Sequence, residues 1–179
     1  MRIKTTQPLW LSLYRGYLLG FFFLFFFVNV VEANQTIRSL PVFEFESFDG
    51  SKMTELSIQD KGIQLIIYGS PDALTQNRVQ LDLVLDHIRS ADKTDRLLYT
   101  INFSSYPRLI RGIIKSQMKN NSNQLGINIF ADWDGVWCTH YHLDSSFVSV
   151  FLICENTNVC NWFYFKDAKE TLTQIEERN

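Results

Sequence analysis

The sequence predicts an α/β fold: a central mixed β-sheet flanked by helices, with a β-hairpin and a final helix at the C-terminus. Short, mainly apolar runs bounded by turn residues, which are typical of buried strands, occur at 64–69, 97–103 and 126–132. A helical pattern lies between the first two runs, and two further apolar runs joined by a tight turn occupy 148–165. Strands that alternate with helices in this way form a sheet covered on both faces.

The first predicted elements show the periodicities from which the fold is inferred. Residues 41–48 alternate apolar and polar side chains, as an edge or half-buried strand does, and end at the turn signal Asp49-Gly50. Residues 64–69 are apolar from Leu65 onward and predict a continuous buried strand. The stretch 76–90 has apolar residues every three or four positions and predicts an amphipathic helix, whose buried face is Leu81, Val84, Leu85 and Ile88.

The second half of the chain repeats the alternation. Residues 97–103 form the next predicted strand, and Pro107 fits the first turn of a helix that runs to Met118. The later predicted elements are a strand at 126–132, a connector containing DWDGVW, hairpin strands at 148–154 and 159–165, and a helix from about Asp167 to Glu177.

The N-terminal segment has the pattern of an export signal. Basic residues precede the apolar stretch 17–31, and small or tolerated residues precede a cleavage point before Asn34. The prediction is a signal peptide at 1–33 and one domain at 34–179. The alternative is an uncleaved membrane anchor formed by residues 17–31, although this run is shorter than the roughly 18 to 20 residues of a spanning helix. Both alternatives place the domain outside the cytoplasm, in the periplasm or on the membrane.

The charge of the predicted domain argues against nucleic-acid binding. Removal of residues 1–33 takes three basic residues and one acidic residue from the 17 basic and 19 acidic residues of the chain, so the remainder has a net charge of −4. Four cations fall at helical spacing and are interpreted as a solvated helix face: Arg108, Arg111, Lys115 and Lys119. We expect no nucleic-acid partner, and membrane contact only through an uncleaved N-terminal segment.

A group of residues between 126 and 165 resembles a known family. The features are Asp132, the connector Asp134-Gly135-Val136, Leu143-Asp144 followed by serines, and Trp162 after the hairpin turn. Together with the element order, they resemble the YtfJ family of exported thioredoxin-like proteins, in the thioredoxin and peroxiredoxin superfamily. The resemblance implies a thioredoxin-like fold over about residues 40–178.

The resemblance also implies where an active site would lie. Thioredoxin-like enzymes carry their reactive cysteines in the loop that here contains Ser70, Pro71 and Asp72, because a helix N-terminus stabilises a thiolate. Their cis-proline corresponds to the stretch 146–148, which has no proline. We therefore expect a degenerate active site without dithiol chemistry, in which Ser70 and Asp72 cap a helix.

These observations predict a binding or accessory module rather than an enzyme. Its expected partner is a periplasmic or envelope protein bound at the strand ends near Ser70, and no cofactor is expected. The alternative function is metal binding or redox sensing, which would use other residues.

One cluster could bind a metal. Cys138, His140 and His142 alternate along the chain, so on a strand they would share one side and could bind zinc or copper. On a helix, Cys138 and His142 would share a face and His140 would point elsewhere. Both conformations remain open from the sequence.

Aromatic residues are concentrated near the C-terminus. Those in the run 162–165 cannot all be buried on one sheet face, because successive side chains of a strand alternate. Either the final helix and the connector cover the two faces, or some rings form a partner surface. The residues of this group are Trp133, Trp137, Tyr141, Trp162, Phe163, Tyr164 and Phe165.

The two remaining cysteines could form a disulfide. Thioredoxin-like chains commonly have glycine at the end of the hairpin turn, where this chain has Asn158, which tolerates positive φ. With Glu155 opposite Val159, Cys154 lies opposite Cys160 as a non-hydrogen-bonded pair, about 4.5 Å apart between Cα atoms. The alternatives are a reducible disulfide that could sense redox state, and two buried free thiols. Cys138 is left over in either case.

Overall fold

The computed structural model describes residues 38–154 and 158–177. The predicted signal peptide at 1–33, including the alternative anchor at 17–31, lies outside the described residues. Among the helices that are described, none combines the length and the apolar character needed to cross a bilayer.

The described chain contains eight strands and six α-helices. The strands are β1 (Arg38–Ser39), β2 (Glu44–Ser47), β3 (Lys52–Thr54), β4 (Leu65–Gly69), β5 (Leu97–Asn102), β6 (Ile129–Asp132), β7 (Ser149–Ile153) and β8 (Asn158–Tyr164). The helices are α1 (Glu55–Asp60), α2 (Pro71–Gln76), α3 (Arg78–Ser90), α4 (Arg111–Leu125), α5 (Val136–Tyr141) and α6 (Ala168–Glu176). Short 3-10 turns at Thr94–Arg96 and Arg108–Ile110 precede β5 and α4.

The strands form one mixed sheet in the order β1-β8-β7-β4-β5-β6-β2-β3. The central strands β4, β5 and β6 are parallel, and the other pairings are antiparallel. The sheet and its flanking helices confirm the predicted α/β class. Because β4, β5 and β6 run in the same direction, their carboxyl ends lie along one edge of the sheet, which we call the site edge.

Two apolar layers cover the two faces of the sheet. Alternate side chains of the central strands point to opposite faces, so Ile67 belongs to one layer and Ile66 to the other. Helices α2, α3, α4 and α6 pack on the first face, and α1 and α5 on the second. The predicted buried face of α3 is confirmed, since its buried residues are Leu81, Val84, Leu85 and Ile88.

Three local features differ from the sequence prediction. The helix predicted at 76–90 is preceded by a separate helix α2, which ends at Asn77, where the side-chain amide donates a hydrogen bond to the Ala73 carbonyl; α3 begins at the next residue. The helix predicted to end near Met118 continues to Leu125 and stops where Gly126 adopts a left-handed conformation with φ +64°. The sequence does not predict the strands β1 and β3 or the helix α1, because elements of two to six residues carry little periodicity.

The C-terminal hairpin is present, but its predicted register is wrong. Val159 pairs with Ile153 and Asn161 pairs with Leu152, so Cys160 is the extra residue of an irregularity in β8. Cys154 and Cys160 are joined by a disulfide, with their Cα atoms 5.7 Å apart rather than directly opposite each other. The extra residue moves Cys160 away from a paired position, which the alternation of side chains alone could not indicate.

Candidate functional site

The loop after β4 occupies the site edge and is built by helix capping. Ser70 has extended backbone angles and is the N-cap of α2, with Pro71 at the first helical position. The Ser70 hydroxyl accepts a hydrogen bond from the Ala73 amide at 3.2 Å and donates one to the Ser145 carbonyl at 2.8 Å. Asp72 lies in the first turn of this short helix. Both hydrogen bonds of Ser70 are therefore structural.

The segment facing this loop contains an exposed ring. Among the described residues no peptide bond is cis, so the stretch 146–148 does not reproduce a cis-proline turn. Val148 is buried against Gly69, whereas Phe147 remains 49% exposed and stacks obliquely on Tyr164, with ring centroids 5.1 Å apart. This segment therefore presents an aromatic surface next to the Ser70 loop.

Asp132 is the central buried charge of the site edge. Its carboxylate accepts hydrogen bonds from the Tyr68 hydroxyl at 2.9 Å and from the Gly135 amide at 2.8 Å. The amides of Asp134, Val136 and Trp137 also donate to it, at 3.2 to 3.3 Å. The carboxylate thus caps α5 and is stabilised by the unpaired amides of a helix start. In the sequence Asp132 served only for the family resemblance, although an aspartate at a strand end, two residues before Asp134-Gly135, is a turn and capping signal.

The pKa of the Tyr68 hydroxyl depends in part on this carboxylate. Burial, together with the negative charge of Asp132 and the hydrogen bond to it, raises the pKa of the Tyr68 hydroxyl far above its ordinary value of 10.0. The folded protein therefore keeps this proton at a pH where the unfolded chain loses it.

A pH dependence follows from this raised pKa. Above about pH 10 unfolding releases the Tyr68 proton, so stability present below pH 10 is lost as the pH rises further. We expect Tyr68→Phe to lose less stability between pH 8 and pH 11 than the wild type, with a slope difference of up to about 1.4 kcal/mol per pH unit. Urea unfolding at a series of pH values measures it. Equal slopes for the two proteins would contradict the raised pKa.

A polar and aromatic cluster lies next to Asp132, where β2 pairs with β6. Glu46 accepts a hydrogen bond from Lys115 Nζ at 2.7 Å and from Trp133 Nε1 at 3.0 Å. The hydrogen bond from Lys115 is the main cause that lowers the pKa of the Glu46 carboxyl. The Arg111 guanidinium lies 4.7 Å from the Trp133 ring centroid, and that ring stacks on Phe103 at 5.4 Å. Of the four cations interpreted as a solvated helix face, Arg111 therefore contacts Trp133 directly, and Lys115 is linked to it through Glu46.

The proposed metal ligands lie on a helix and are not brought together. Cys138 and His140 belong to α5, and His142 is its C-cap with φ +53°. The Cys138 thiol is half-buried and donates a hydrogen bond to the Leu143 carbonyl at 3.3 Å, whereas both histidines are exposed. Within 38–154 and 158–177, no three His, Cys, Asp or Glu side chains are arranged to hold a metal ion. The structure gives no support to the three-ligand hypothesis.

The Cys138 thiol is also poorly suited to redox chemistry. Burial, followed by the negative charges of Asp132 and Asp144, raises its pKa above the ordinary value of 9.0. Since the thiolate is the reactive form, this side chain is a weak nucleophile near pH 7.

The C-terminal aromatic residues are mostly covered. Trp137, Tyr141 and Phe165 are buried, and the other four residues of the group are half-buried. Trp162 stacks on Phe151 with ring centroids 5.9 Å apart and packs on the second face of the sheet. The run 162–165 therefore offers no fully exposed ring, and the exposed ring of this region is Phe147, which sequence reasoning named only as part of the missing cis-proline turn.

Comparison with known proteins identifies the fold. No protein-family profile matches the chain, and no curated protein sequence matches it. The exposed lipoprotein thioredoxin Etrx1 of Streptococcus pneumoniae superposes with a TM-score of 0.59 at 14% identity, over 76% of this chain and 99% of that chain. Yeast Sco1 gives 0.57 at 18% identity, over 80% and 94% of the two chains. Peroxiredoxin Q of Xanthomonas campestris gives 0.57 at 13% identity, over 80% and 100%. The chain therefore has a thioredoxin-like fold.

Proposed function

We propose that this chain is an exported thioredoxin-fold domain without dithiol chemistry, which serves as a binding or accessory module for a periplasmic or envelope protein. The observation that carries the proposal is the Ser70 loop. Where thioredoxin-like enzymes place a thiol, this chain has a serine whose hydroxyl hydrogen-bonds Ala73 N and Ser145 O. We further propose that the domain is YtfJ-like, which the connector 134–136 after Asp132 supports.

The positions of the three cysteines support the loss of thiol chemistry. Cys154 and Cys160 are joined in a disulfide beyond β7, at the end of the sheet opposite the site edge. Cys138 packs with α5 on the second face, whereas α2 packs on the first. The loop between β4 and α2 therefore contains no cysteine.

The site edge retains a surface suited to a protein partner. Leu109, in the turn before α4, is 98% exposed, and Phe147, before β7, is 49% exposed. Both side chains lie on loops at the carboxyl ends of the central strands, where ligands of α/β proteins commonly bind. Exposed leucine and phenylalanine side chains are suited to burial in a protein interface.

Export is proposed from the N-terminal pattern. The segment 1–33 has the basic, apolar and small-residue regions of a signal peptide. One structural neighbour is named as an exposed lipoprotein, which is consistent with such a location for this fold. An acidic domain in that location does not meet the chromosome, so we propose no nucleic-acid partner.

Replacing the two exposed side chains should weaken partner binding. We expect Leu109→Ser combined with Phe147→Ser to lower recovery of the partner in cross-linked envelope fractions at least tenfold, because exposed apolar anchors dominate interface energy. The matched control is Leu83→Ser, since Leu83 lies on the outer face of α3 and is 52% exposed. All variants should keep the wild-type melting temperature within a few degrees. Equal recovery for the double variant and the control would reject this surface.

Redox sensing is a second candidate function, favoured by the disulfide. Cys154 is exposed, so a reductant can reach the bond. We expect replacement of both cysteines by serine to lower the free energy of unfolding by about 2 kcal/mol, because the closed loop is short. Differential alkylation of freshly exported protein tests the redox proposal. If both thiols react freely, the disulfide is not present in the cell and this function is rejected.

A further inference from the structure

A cavity lies at the end of the sheet opposite the site edge. Its volume is about 480 Å³, within the range of about 300 to 1,000 Å³ that is common for small-molecule sites. It is lined by the first residues of β4 and β5, the last residues of β7, the disulfide, and side chains of α3 and α6. The cavity lies at the amino ends of β4 and β5, whereas the Ser70 loop follows the carboxyl end of β4, so the cavity is separate from the proposed partner surface.

The floor of the cavity is aliphatic. Leu65, Leu97 and Leu152 lie on adjacent strands and point to the first face of the sheet. Ile88 of α3 and Ile175 of α6 complete the apolar lining. Each of the three leucines keeps 6 to 7% of its surface accessible, whereas Ile66 and Leu98 on the opposite face keep none. The floor therefore offers apolar surface that a ligand could cover.

The rim of the cavity carries two cations. Lys93 and Arg96 border it, and the described residues place no carboxylate within 4.0 Å of either side chain. Arg96 donates one hydrogen bond, to Gln64 Oε1 at 3.4 Å. The guanidinium therefore keeps most of its donors for an anion.

We propose that this cavity binds an aliphatic carboxylate, such as a medium-chain fatty acid. The alkyl chain lies on the leucine floor, and the carboxylate meets Arg96 and Lys93 at the rim. The overall charge of the protein makes this preference diagnostic. A protein of net charge −2, or −4 after removal of residues 1–33, would favour a cationic amphiphile if it bound alkyl chains without a specific site. Selection of an anion by this protein requires local cations.

Calorimetric titration of the exported protein with octanoate, decanoate and dodecanoate tests the apolar part of the site. Each fatty acid is used below its micelle-forming concentration. We expect the dissociation constant to fall about tenfold for each added pair of methylenes until the cavity is full. Decyltrimethylammonium should bind at least tenfold more weakly than decanoate. Absence of saturable binding, no dependence on chain length, or equal binding of the cationic probe would each overturn the proposal.

A pair of surface variants tests the rim. Lys93→Gln combined with Arg96→Gln should weaken decanoate binding about tenfold while leaving the melting temperature unchanged. The control is Lys61→Gln combined with Lys119→Gln, which removes the same charge from exposed side chains that do not line the cavity. If both double variants lose the same affinity, the effect is one of overall charge and the assigned site is wrong.

Discussion

Trp137→Ala should lower the free energy of unfolding by about 3 to 5 kcal/mol, because it removes the largest fully buried side chain of the second apolar layer. The Trp137 ring is completely buried and contacts five other rings, with centroid distances from 4.8 to 6.0 Å. Its loss would leave a cavity between α5 and the sheet. Chemical denaturation followed by far-ultraviolet circular dichroism measures the change.

The matched control for this position is Trp137→Phe. The described residues offer no hydrogen-bond acceptor to Trp137 Nε1, so replacement by phenylalanine loses ring volume without leaving an acceptor unpaired. We expect its effect to be less than half that of Trp137→Ala. A cost below about 1 kcal/mol for Trp137→Ala would contradict the packing of α5 on the sheet.

Asp132→Ala should cost about 3 to 5 kcal/mol, because it leaves a buried hydroxyl and a set of helix-start amides without their acceptor. Asp132→Asn keeps the shape but replaces one acceptor oxygen by a donor, and should cost less than Asp132→Ala. Tyr68→Phe removes a single donor and should cost about 1 kcal/mol. Urea unfolding of the series gives the three values.

A double-mutant cycle separates the energy of the Tyr68–Asp132 hydrogen bond from a general loss of stability. If the Tyr68–Asp132 hydrogen bond is formed in solution, the combined variant Tyr68→Phe with Asp132→Asn should cost less than the sum of the two single changes. Strict additivity would show that the two side chains do not interact. Should Asp132→Ala fail to fold, this cycle still measures the interaction.

The fold could be predicted because most of its elements carry strong local patterns. The buried strand β4 is a continuous apolar run and β5 is mainly apolar, and the four buried residues of α3 follow the helical period. The strand β3 has only three residues, so its contribution to the sheet depends on pairing with β2, which is a tertiary property. The register around Cys160 depends on one unpaired residue, which side-chain alternation does not reveal.

The candidate site was predicted less completely than the fold. The loop at Ser70 could be found because its position between a strand and a helix is visible in sequence, and Ser70 caps the helix as expected. The hydrogen bond from Ser70 to Ser145 joins residues 75 positions apart, so no local pattern indicates it. The alternatives for Cys138, His140 and His142 depended on whether the segment is a strand or a helix, and α5 is a helix. The signal peptide at 1–33 stays a prediction.

Photo-cross-linking in the cell tests most directly whether the site edge binds a partner without thiol chemistry. A benzoylphenylalanine probe would replace Phe147 in the wild-type background and in a background with all three cysteines changed to serine, and a control probe would replace Leu83. We expect the same cross-linked partner from position 147 in both backgrounds, and none from position 83. A partner that is lost in the cysteine-free background, or that cross-links equally from position 83, would contradict it.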